Sequence, residues 1–167
     1  MNANKIGKLG ILFSLVLLLS VSGLVFPKES NQAPTTSAAK SQERPLEVFH
    51  AGPWEESIGY AQAIRSGRTI HISGTVGADA KGQPEDLDGQ MKKAYEGIRK
   101  TLAHYNTDFS HVVMEHIYTT DIEALIRSQG TRKKIYGNWA PAATWVEVKR
   151  LYGPGDKIEI EIEVELD

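Results

Sequence analysis

The chain has 167 residues, with 19 lysines and arginines against 21 acids and no cysteine, which excludes disulfides, thiolate catalysis and cysteine-ligated metals. Its net charge of -2 joins unlike parts: residues 1–40 hold Lys5, Lys8, Lys28 and Lys40 against Glu29, or +3, and residues 41–167 hold the other 15 basic and 20 acidic side chains, or -5. An acidic body whose longest basic run is Arg132-Lys133-Lys134 argues against nucleic acid as a partner, because phosphate neutralisation supplies most of that affinity.

Lys5 and Lys8 precede an apolar run from Ile11 to Phe26 that contains Ser20, Ser22 and Gly23 near its end, the layout of an export signal. Residues 1–26 are thus expected to be a signal peptide, and the protein to be extracytoplasmic, either periplasmic or secreted. The sixteen positions of this run at about 1.5 Å each fall short of a hydrocarbon core of roughly 30 Å, so membrane association is expected only where this segment stays uncleaved. Residues 27–45, rich in Pro, Ser, Thr and charge with little to bury, read as a disordered linker. Residues 46–167 remain as one domain, long enough to bury a core.

Within that domain, Leu46–His50 has strand character, and Ile58–Ile64 and Arg68–Ser73 read as two strands joined at Ser66-Gly67. From Glu85 to Asn106, Met91, Ala94, Tyr95, Ile98 and Leu102 recur at spacings of three and four, which predicts an amphipathic helix capped by Asp86 or Asp88 and ended at Asn106. His111–Thr120 reads as a strand, with Asp121 capping a second helix through Ile122, Leu125 and Ile126 that Gly130 weakens. Thr144–Leu151 and Lys157–Leu166 are strands around a turn at 152–156. In the last, Ile158, Ile160, Ile162, Val164 and Leu166 alternate with Glu159, Glu161, Glu163 and Glu165, a period of two. If the turn makes these two a hairpin, Lys149 falls opposite Glu159 or Glu161 and relieves their repulsion. The order describes an α+β domain with two helices packed on one face of a mixed sheet. Self-association is the economical cover for the other face.

Several segments together resemble the RidA/YjgF/UK114-type family, also called the Rid or endoribonuclease L-PSP family: residues 58–67 (IGYAQAIRSG), Ile72-Ser73-Gly74, residues 113–121 (VMEHIYTTD), residues 141–151 (PAATWVEVKRL) and Ile158-Glu159-Ile160-Glu161. The resemblance implies a chorismate-mutase-like fold, a homotrimer, and small-molecule pockets in clefts between subunits. It also implies hydrolysis of enamine or imine intermediates, with Tyr60 lining the cleft and Glu159 positioning or activating the attacking water. Ser73 and Gly74 border the same cleft. Ala143 stands where the family motif carries the arginine that clamps a substrate carboxylate, and the loss of a charge-assisted pair is worth a few kcal/mol, or two or more decades in binding. Hydrolysis of 2-imino acids is weakened as an expectation accordingly. Period two puts Trp145 on the face of Ala143, where it either offers an aromatic ligand surface or packs in core or interface.

The alternative is a non-catalytic trimer that binds a small ligand in the same cleft, with ribonuclease activity opposed by the acidic body. His50, His71, His104, His111 and His116 show no metal-ligand spacing, so no metal or cofactor is expected. Arg65, Lys149 and Arg150 read as surface or sheet-edge cations, with reach into a neighbouring subunit's cleft as the alternative. Asn138, Trp139 and Pro141 lie on the loop that enters the cleft strand.

Overall fold

The computed structural model describes residues 45–78, 82, 84 and 86–167; the expected signal peptide and all but the last residue of the expected linker lie outside the described residues. Among these, no helix is long and apolar enough to cross a membrane.

The elements in chain order are β1 (Leu46–Phe49), α1 (Pro53–Ile58), β2 (Ala63–Ser66), β3 (Thr69–Val76), α2 (Leu87–His104), a 3-10 turn at Phe109–His111, β4 (Val112–Thr119), α3 (Ile122–Arg127), α4 (Gln129–Tyr136), β5 (Ala142–Glu147) and β6 (Ile158–Glu165). They form one six-stranded sheet in the order β1-β2-β3-β6-β4-β5. All neighbours are antiparallel except β4 and β5, which run parallel, as expected for strands joined by a helical crossover, here α3 and α4.

The long helix follows its sequence pattern. Asp86 accepts from the Gly89 N–H and caps it, Met91, Ala94, Tyr95, Ile98 and Leu102 are buried, and Asn106 ends it with φ 55°. Beneath it lies β6, whose Ile158, Ile160, Ile162 and Val164 are at most 1% exposed. At roughly 25 cal/mol per Å² of apolar area, this continuous aliphatic row explains why β6 takes the centre of the sheet.

Three expectations are corrected. The strand expected at 58–64 is present only from Ala63: Pro53 at the first helical position, with Glu55 and Glu56 in the first turn, starts α1, and Gly59 at φ 93° ends it, so that residues 58–62 are no strand. Burial of the Glu55 carboxylate holds this turn, accepting from the Ala51 and Gln62 N–H groups at 3.1 and 2.9 Å. Second, β5 and β6 form no hairpin, because β4 lies between them. Lys149 is thus not opposite Glu159 or Glu161. Instead the glutamate face meets Arg68 and Thr69 at Glu165 (3.3 and 3.0 Å), His71 at Glu163 (3.6 Å) and the Tyr118 hydroxyl at Glu161 (3.3 Å). Third, the second helix is two, broken at Ser128 rather than at Gly130. Asp121 does cap its start, accepting from the Ala124 N–H.

Candidate functional site

Residues paired across the sheet share a face, so the pairing sorts the chemistry. Glu159 pairs with Tyr118 on β4 and with Val76 on β3, and its side chain stands on the face away from α2. Ala143 and Trp145 pair with Glu115 and Ile117, both wholly buried on the helix side. Within one chain the expected site therefore divides in two.

The first half gathers at a bulge in β3. The register slips between Ile72 and Thr75, leaving Ser73 and Gly74 outside regular pairing, as bulges do beside functional sites. Ser73 donates its backbone N–H to Gln62 O at 2.9 Å and its hydroxyl to Ala61 O at 2.7 Å, and so fastens the bulge to the loop that carries Tyr60. Tyr60, Gln62 and Gly74 share a cavity of about 610 Å³ with Lys93 and Lys100. The Glu159 carboxylate lies against Gly74, where an added Cβ would come within 2.7 Å of Cδ. Any side chain at 74 would displace that carboxylate.

Glu159 does not line that cavity, which α2 bounds; it lines another, of about 470 Å³, with Tyr118, Arg150, Tyr152 and Glu161, so within one chain Tyr60 and Glu159 are not brought together. Burial chiefly, then the negative fields of Asp156 and Glu161, push the Glu159 carboxyl above the usual carboxylate range. A half-buried glutamate of this kind holds its proton to a higher pH than a carboxyl in water, which suits exchange with water at a reacting centre. Arg150, which the sequence offers as a surface or sheet-edge cation, shares this cavity within the same chain.

The second half lies on the other face. Glu115, fully buried, accepts from the hydroxyls of Tyr95 (2.6 Å) and Tyr136 (2.8 Å) and from Arg132 Nε. Burial first, and the Glu115 charge second, push both tyrosines far above their usual range. The Arg132 guanidinium lies 4.8 Å from the Tyr136 ring centre and 5.1 Å from that of Trp145. Trp145 thus packs under a cation at a cavity of about 470 Å³ that Asn138 and Trp139 also line, while its Nε1 is buried without a hydrogen-bond partner among the described residues. Trp139 is held by its Nε1–H donated to Val112 O at 2.6 Å. Nothing in the sequence singles out Arg132 from its basic run. Glu115 left one trace, an acid sharing a strand face with Ile117 and Thr119.

A mixed sheet under α2 and the α3–α4 pair is an α+β architecture shared with solved structures of the YjgF family. The endoribonuclease L-PSP family profile matches residues 54–166, and the chain belongs to that family, the RidA/YjgF family of its relatives. It is similar to the RutC family protein YjgH of Escherichia coli, 30% identical over 104 residues, or 62% of this chain and 79% of that protein. The 2-iminobutanoate/2-iminopropanoate deaminase of Bos taurus is 32% identical over 105 residues, covering 61% and 76% of the two chains. Among solved structures, a YjgF/YER057c/UK114 family member from Mycobacterium tuberculosis superposes with a TM-score of 0.67 at 27% identity, across 73% of this chain and all of that one.

Proposed function

We propose that the protein hydrolyses a small imine or enamine, as an exported homotrimer with its clefts between subunits. Water adds to the imine carbon while Glu159 accepts its proton. The same proton then passes to the nitrogen to give a carbinolamine; Glu159 next carries the hydroxyl proton to the nitrogen as the C–N bond breaks, and ammonia leaves with a carbonyl product. The Ser73-Gly74 bulge forms one wall of that site, and Tyr60 lines the cleft from a neighbouring subunit. A base with a raised pKa works closest to neutral pH, where proton transfer contributes about 10²–10⁴-fold in rate. The carrying observation is the Glu159 carboxylate, half-buried and seated on Gly74. The bovine relative named as a 2-iminobutanoate/2-iminopropanoate deaminase supports the same chemistry. Trimerisation is supported by the sheet face away from α2, where Leu46, Val48, Ile64 and Val146 stand exposed, an apolar area that association covers.

The test is ammonia release from 2-iminobutanoate formed in situ, by wild type and Glu159→Gln, with the oligomer mass measured in parallel. The proposal expects a trimer and a loss of at least a hundredfold on substitution. Unchanged turnover in Glu159→Gln would sink it. Export is tested by fractionating cells that express the full chain.

Ala143 favours a second reading, a non-catalytic trimer binding a small ligand. It is supported if no imine is hydrolysed, Ala143→Arg restores nothing, and a metabolite still quenches Trp145 fluorescence.

A further inference from the structure

Arg132 is 16% exposed at its side chain and engaged on three sides. Its Nε is bonded to Glu115, and the rings of Tyr136 and Trp145 lie within the range of cation–π contact. Its two Nη groups have no hydrogen-bond partner among the described residues, and the side chain lines the 470 Å³ cavity between α4 and β5. Three aromatic side chains, Tyr136, Trp139 and Trp145, line that cavity too, with the exposed Lys133 beside them. The sheet pairing adds a second relation. Glu115, which holds Arg132, is the register partner of Ala143. A guanidinium from α4 thus stands on the same face of the sheet as Ala143, the β5 position at which the family motif carries its own arginine.

We propose that this cavity binds a planar carboxylate, with the Nη edge of Arg132 as its anchor and the indoles of Trp139 and Trp145 as its walls. A guanidinium already oriented by stacking and by one fixed hydrogen bond loses little rotamer freedom on gripping a carboxylate. Flat apolar walls favour an aromatic or otherwise unsaturated acid over an aliphatic one. The Glu115 charge competes for the same cation, so affinity is set by how far the carboxylate displaces that internal partner's field. The inference deepens the hydrolase reading, on which it rests only for turnover: within one chain this cavity and Glu159 lie on opposite faces of the sheet, so a shared substrate would meet Glu159 of a neighbouring subunit.

Benzoate and benzamide, alike in shape and different in charge, are the probes, titrated against full-length protein by calorimetry and tryptophan fluorescence. Benzoate is expected to bind at least tenfold more tightly than benzamide. Glu115→Gln frees Arg132 from its counter-charge and is expected to tighten benzoate about threefold or more, a change that a purely structural role would not produce. The double variant Glu115→Gln/Arg132→Met leaves no unpaired buried charge and is expected to weaken benzoate at least tenfold while its melting curve stays cooperative. Equal binding of the two probes to folded wild type overturns the proposal, as does a double variant with wild-type affinity or a loss that follows Lys133→Ala instead. Benzoate binding without imine turnover counts against the hydrolase reading alone. Imine turnover without benzoate binding counts against this pocket alone.

Discussion

Gly74→Ala separates the Glu159 geometry from the stability of the fold. Gly74 has no positive φ, so alanine strains no backbone there, and the whole effect is steric. The new Cβ would lie 2.7 Å from Glu159 Cδ and 2.9 Å from its Cγ, against an ordinary contact of about 3.5–4.0 Å. The carboxylate must therefore retreat by about 1 Å, and a misplacement of that size costs roughly a hundredfold in rate. Because the atoms displaced are the far end of a flexible side chain, rotation accommodates the methyl for about 0.5–1.5 kcal/mol, a melting shift of only a few degrees. The assay pairs ammonia release with thermal melting and an NMR titration of the Glu159 carboxyl. Turnover is expected to fall about a hundredfold, the melting point to hold, and the carboxyl pKa to drop toward the ordinary range as the group leaves its buried seat. Wild-type turnover with an unmoved Glu159 pKa would refute the reasoning, and so would a collapse of the fold.

Gly77→Ala is the contrasting case. Its Cβ would meet the α2 backbone at Gln90, 2.7 Å from the carbonyl carbon, which cannot rotate away, so a loss of about 1–3 kcal/mol is expected in chemical denaturation. Glu159→Gln should make the protein more heat-stable at pH 7. The raised carboxyl contributes stability that is fully present below the unfolded value of about 4.3 and is lost as pH rises through the folded pKa, so the gain should vanish below about pH 4 in melts across pH. Tyr95→Phe removes a 2.6 Å donor from the buried Glu115 carboxylate and should cost about 1–3 kcal/mol by urea denaturation. Asp121→Ala removes the cap of α3 and should cost about 1 kcal/mol in the same measurement.

Local chemistry made most of the fold legible. The spacing of Met91, Ala94, Tyr95, Ile98 and Leu102 and the Asp86 and Asp121 caps need only the neighbouring residues to act, and they appear where the pattern puts them. The alternation of 158–165 is equally local, and it sets which side of β6 carries glutamate. The α1 turn was hidden because its stabilisation is not local to its own residues: Glu55 is buried by accepting from Gln62, seven positions on. The β5–β6 pairing was misjudged because a short glycine-rich turn is compatible with a hairpin. Only the competition of β3 and β4 for the apolar row of β6 decides otherwise.

The sequence by itself determined α2, the start of α3, the strand character of β3, β4 and β6, the face β6 turns inward, and the place of Ala143 and Glu159 in the family motif, since these depend on periodicity and order along the chain. The tertiary structure alone decided that Glu159 rests on Gly74, that Arg150 shares its cavity, and that Arg132 bonds Glu115, the register partner of Ala143. These are contacts between residues many positions apart, formed when burial of the aliphatic rows of β3, β6 and α2 brings otherwise unrelated segments into one layer.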